Sequence, residues 1–147
     1  MELQSLKLLI TDDDLMHLAA FHVPKDAPIE DLRVGVSEEG VVVSGSYPLL
    51  VLKVTFETVW SLLVVDGQAE ARLTALRVAG LPAGKFKGLV LKMLRDELGH
   101  NPGITVVEEG VRLDVEAIAR REGIPLRINL RALHCEPGRI TVLAGSP

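Results

Sequence analysis

Three stretches of the chain bring together residue types that could do chemistry. Asp12, Asp13 and Asp14 line up three carboxylates, the oxygen ligands a hard cation prefers, but the spacing, turn glycine and terminal glutamate of a calcium loop are missing. The run reads instead as negative charge at the start of a helix, where it opposes the helix dipole. The histidines are His17, His22, His100 and His134. They form no HExxH pattern, and His17 and His22 are five apart, the wrong spacing for one helical face, so no zinc site is expected. Cys135 stands beside His134, yet neighbours in a strand point to opposite faces and make a poor nucleophile and base pair. The expected state of Cys135 is that of a small buried hydrophobe.

The glycines of Val78-Ala79-Gly80-Leu81-Pro82-Ala83-Gly84-Lys85 precede a helix whose N-terminus could receive an anion, but the phosphate-loop spacing is absent. An ordinary strand-to-helix connection accounts for them. Ser44-Gly45-Ser46 lies within an expected hairpin strand and not at the strand-to-helix elbow of a hydrolase. The chain is therefore expected not to be an enzyme, and to need neither metal nor cofactor.

The elements that would position any site follow from periodicity. Thr11 and Asp14 form a capping-box-like start, and Leu15, Leu18 and Ala19 recur at helical spacing, which predicts a helix over 12–21. Leu32, Val34 and Val36 alternate as a strand up to the turn Glu38-Glu39-Gly40, and Val41, Val43 and Gly45 return as its mate. Next comes a long strand with Leu50, Leu52, Val54, Phe56, Trp60, Leu62 and Val64 on one face, turning at Asp66-Gly67 into a strand over 69–78. From Pro82 the period becomes helical, with Phe86, Leu89, Val90, Met93 and Leu94 in one apolar stripe and Gly99 beyond the end. A strand over 103–108, the turn Glu108-Glu109-Gly110, a short strand, a helix from Asp114 to Glu122 and a hairpin over 125–135 and 139–145 complete the chain. Repeated turns joining β-runs predict one α+β domain over 1–147, an antiparallel meander interrupted by two or three helices.

The long strand is apolar beyond what one wet-faced sheet requires. Its odd-numbered face also shows Leu49, Val51, Val59, Leu63 and Val65, where cleaner alternation is expected. Two functions follow from that surplus. In the first, Phe56, Trp60, Leu62, Phe86, Leu89, Val90 and Met93 line a groove between sheet and helix for a lipid or another apolar small molecule. In the second, the same surface and the sheet edges bind a partner chain or form a homodimer. Basic residues on the helix over 82–98 are compatible with contact at a membrane surface.

Composition bounds the partners. The 147 residues carry a formal charge of −4 and a pI near 5.6, which weighs against nucleic acid. Charge is uneven: residues 1–66 hold 4 basic and 11 acidic side chains, leaving 12 of the 16 basic and 9 of the 20 acidic to the rest. Aromatics make up 3% and mean hydropathy is +0.29, so the apolar mass is aliphatic. No signal-peptide pattern opens the sequence, and the expectation is a cytoplasmic chain unless an export segment has been removed. The longest apolar stretch, Leu49 to Val65, is broken by Lys53, Glu57 and Ser61 and is too short for a membrane helix.

Three passages carry a family resemblance: ITDDDLMHLAA; ARLTALRVAGLPAGKFKGLVLKML; and VRLDVEAIARREGIPLRINLRALHCEPGRITVLAG. Their order and cadence over residues 9–145 resemble the LmeA-like phospholipid-binding family of the tubular lipid-binding superfamily, akin in architecture to the YceB-like lipoproteins. The resemblance implies a curved antiparallel sheet wrapped against one principal helix, with one or two short helices and an apolar tunnel for acyl chains. It also implies a place in the cell envelope.

Overall fold

The computed structural model describes residues 5–22, 29–49, 51–79, 87–88, 90–92, 95–96 and 103–145. The order of elements is β1 (Ser5–Thr11), α1 (Asp12–His22), β2 (Glu30–Ser37), β3 (Gly40–Leu49), β4 (Leu52–Val65), β5 (Gln68–Val78), β6 (Ile104–Val107), β7 (Gly110–Leu113), α2 (Val115–Arg121), β8 (Asn129–Glu136) and β9 (Arg139–Gly145). Every pairing is antiparallel. The α+β, antiparallel reading stands, but as two sheets: six strands in the order β2-β3-β4-β5-β7-β6 and three in the order β1-β9-β8. The smaller sheet joins the two ends of the chain, a long-range pairing that local periodicity does not reveal. Of the helix expected over 82–98, the described residues are helical, with Leu91 buried; Phe86, Leu89, Met93, Gly80, Gly84 and Lys85 lie outside the described residues.

Turn chemistry sets the registers. Asp66 and Gly67 take φ of 52° and 78° between Val65 and Gln68, the positive angles a two-residue type I′ hairpin needs. At the last hairpin, Pro137 presets its φ and Gly138 supplies a φ of 85° between Glu136 and Arg139. Leu49 pairs with Leu52, so Val51, which is 97% exposed, belongs to the β3–β4 turn. The odd-numbered apolar face is therefore shorter than the sequence predicted.

The core lies between the sheets. Ile128, Leu130, Ile140, Val142 and Ala144 from the β8–β9 side meet Val36 of β2, and Val41, Leu62, Val64 and Ala69 pack against them. Helix α1 closes one side. Thr11 N–H donates to Asp14 Oδ2 at 2.9 Å and Asp14 N–H to Thr11 Oγ1 at 3.2 Å, the reciprocal capping box read from the sequence. The Asp14 carboxyl is held below its usual range mainly by the Thr11 backbone N–H. The cap of α2 is Asp114, whose side chain accepts from Ala117 N at 3.1 Å.

Candidate functional site

Strand β4 outruns the smaller sheet. Its C-terminal half carries Leu62 and Val64 onto the shared core. On the same face of its N-terminal half stand Val54 and Phe56, with Tyr47 of β3 opposite Val54, and Leu76 and Val78 of β5 opposite Thr58 and Phe56. All five apolar or aromatic side chains are half-buried. An added Cβ at Gly45 would stand 3.2 Å from Phe56 Cζ and from Ile29 Cγ2, so the ring covers the strand where a side chain is missing.

Between the two halves sits a polar hinge in the apolar face. Thr58 is 4% exposed; its hydroxyl donates to Val43 O at 3.1 Å and accepts from Trp60 Nε1 at 2.9 Å. The indole N–H is thereby satisfied without water, which fixes the ring of half-buried Trp60 against the sheet. Of the residues expected to line a groove, Phe56, Trp60 and Leu62 share this face. Leu62 lies on the core, Val90 is helical and half-buried, and Phe86, Leu89 and Met93 are outside the described residues.

Tyr47, Leu76 and Val78 were missed as companions of Phe56. The signal was present: apolar residues in β5 fall on odd positions at Ala69, Ala71 and Leu73, then on even positions at Leu76 and Val78. That phase change marks the bulge between Val59↔Ala75 and Trp60↔Leu73, where Thr74 is the extra residue and its hydroxyl donates to Val59 O at 3.2 Å. Without it, Arg77 and not Val78 would face Phe56.

The opposite face of the large sheet mixes charged groups with Val59, Leu63 and Val65. Glu70, 2% exposed, receives Arg72 Nε on one oxygen at 2.6 Å and Arg112 on the other at 3.0 Å. Burial pushes its carboxyl up, but the hydrogen bonds from Arg112 and Arg72 outweigh that and leave it below the ordinary glutamate value. Further along this face, Val42 and Val59 floor a shallow groove of about 430 Å³ rimmed by Glu38, Glu39, Glu57 and Arg77. A smaller recess of about 190 Å³ at the β4–β5 turn is lined mainly by polar groups, among them Asp66, Gln68, Asp114, Glu116 and Asn129. Two of those carboxylates are engaged, Asp114 with Ala117 N and Glu116 with Ile128 N.

Cys135 faces Ile140 and His134 faces Thr141 across the last hairpin, so thiol and imidazole lie on opposite faces as strand geometry requires. Burial raises the Cys135 thiol above its usual value. Among the described residues no group of three His, Cys, Asp or Glu is placed to hold a metal, and no helix is long and apolar enough to cross a membrane.

Comparison with family models, curated proteins and solved structures finds no match to this chain.

Proposed function

We propose that the protein binds a lipid or another apolar ligand, laying an acyl chain along the even-numbered face of the N-terminal half of β4 and its neighbours in β3 and β5. The observation that carries this reading is the overhang of β4. Leu62 and Val64, at one end of the apolar face, pack on the core cluster, while Val54, Phe56, Tyr47, Leu76 and Val78 lie half-buried at the other end, beyond the Thr58 hinge. The helix expected over 82–98, in whose described part Val90 is half-buried and Leu91 buried, is the candidate second wall. A groove between sheet and helix is also what the LmeA-like resemblance implies. Each acyl methylene removed from water would contribute about 0.8 kcal/mol, so a partly enclosed chain of ordinary length suffices for useful affinity. The site needs no acid, base or nucleophile.

Native mass spectrometry of the purified protein, with organic extraction of what copurifies, tests the proposal. An acyl-bearing adduct is expected. A chain that carries no extractable lipid and takes up no fluorescent fatty acid overturns it.

A further inference from the structure

Among the described residues, the outer edges of β2, β6 and β8 are each protected along their length, whereas β1 is blunted only by Lys7 and at its end, where Thr11 N–H donates to Asp14 Oδ2. The amides of Val34 and Val36 on the outer edge of β2 donate to Met16 Sδ and Asp12 Oδ1 of α1, and Val36 O accepts from Gly138 N. Strand β6 is only four residues long. Strand β8 is bulged between Leu130 and Ala132 and anchored at its start, Ile128 N to Glu116 and Leu130 N to Gly67 O. Strand β1 is seven residues in unbroken register with β9, and neither proline nor bulge interrupts it. Lys7 is its one charge. Leu8 and Leu9 are 46% and 49% exposed, and Leu143, opposite Lys7, is 40% exposed. Long, flat, apolar edges recruit another strand.

We infer that β1 pairs antiparallel with β1 of a second copy, forming a continuous six-stranded sheet across a two-fold axis at Leu8. The strand's own sequence selects a second copy as the occupant. In Ser-Leu-Lys-Leu-Leu-Ile-Thr, pairing about Leu8 sets Leu8 against Leu8, Leu6 against Ile10, Lys7 against Leu9 and Ser5 against Thr11. Apolar residues then meet apolar residues on the core face, the polar ends meet each other, and the single cation is opposite a leucine and not opposite itself. Leu6, Leu8 and Ile10 face Ala144, Val142 and Ile140 across β9, so the two cores become one layer. This pairing is independent of the ligand face on β3–β5, because the two lie on different sheets.

Sedimentation velocity on the wild type from about 1 to about 100 μM should show a concentration-dependent dimer. Leu8→Lys places two cations across the axis, and its dimer should dissociate at about tenfold or more higher concentration. Should Leu8→Lys fail to fold, hydrogen exchange of wild-type residues 5–11 supplies the test: amides of β1 should be protected at high concentration and lose protection on dilution. A wild type that stays monomeric over this range, a Leu8→Lys dimer of unchanged affinity, or β1 exchange independent of concentration overturns the inference.

Discussion

Asp12 Oδ1 accepts the amide of Val36 at 2.8 Å, joining the first residue of α1 to the outer edge of β2. Asp12 N in turn donates to Gly138 O at 3.1 Å, and Gly138 N donates to Val36 O at 2.9 Å. Three segments far apart in sequence are thus closed into one triangle of hydrogen bonds, two between backbones and one to the Asp12 side chain, and an acidic residue read as helix charge doubles as an edge cap.

Asp12→Ala removes an acceptor from a part-buried amide. It should cost about 1–3 kcal/mol in urea unfolding, whereas Asp12→Asn, which keeps a side-chain oxygen, should retain most of the stability. Equal losses in the two variants would show that the Val36 bond contributes little.

Glu70 makes a second prediction, with a defined pH sign. Its carboxyl titrates below the ordinary glutamate range because Arg112 and Arg72 hold the charged form against the cost of burial. The stabilisation it gives is complete above the unfolded value and is lost as pH falls through the lower folded value. Glu70→Gln should destabilise the protein at neutral pH and flatten the acid limb of its stability curve. Thermal melts of both proteins from neutral to acid pH read the effect, and parallel curves would contradict it.

Thr58→Val leaves shape almost unchanged but takes the acceptor from Trp60 Nε1 and the donor from Val43 O. A loss of about 1–3 kcal/mol is expected, with a change in Trp60 fluorescence because this is the only tryptophan. An unshifted emission maximum in the folded variant would mean that the indole has another partner.

Gly110 opposes Arg72 in the β5–β7 ladder, and a Cβ there would collide with the backbone carbonyl of Ala71. Backbone cannot move aside as a side chain tip does, so Gly110→Ala should cost roughly 2–4 kcal/mol, the range of severe packing changes. Gly88, with nothing near its Cβ position, is the matched control and should tolerate alanine.

Much of the fold is legible locally because turn chemistry and period carry it. Asp66-Gly67, Pro137-Gly138 and the Thr11–Asp14 box each act through neighbours in sequence and appear where their residues predict, and the helix expected from Asp114 to Glu122 runs Val115–Arg121 with Asp114 as its cap. Strand β1 was not legible: Leu-Lys-Leu-Leu-Ile has no clean alternation, and its element status comes from pairing with β9 more than a hundred residues away. The bulges were half legible. Apolar residues into and along β8 shift phase from Ile128 and Leu130 to Leu133 and Cys135, as those of β5 shift past Thr74, yet a phase change can also end a strand. For the face around Phe56, sequence periodicity identified the strand and the side but not its partners Leu76 and Val78, which depend on the Thr74 bulge.

The most direct test of the ligand face compares fluorescent fatty-acid titrations of wild type, Phe56→Asp and Leu62→Ala, each with an unfolding curve. Leu62 packs on the core, so Leu62→Ala should cost about 2–5 kcal/mol of stability while the remaining folded protein takes up ligand normally. Phe56→Asp places a charge on the overhanging face and should abolish uptake while the protein stays folded. A folded Phe56→Asp protein that binds the fatty acid as tightly as wild type would contradict the account.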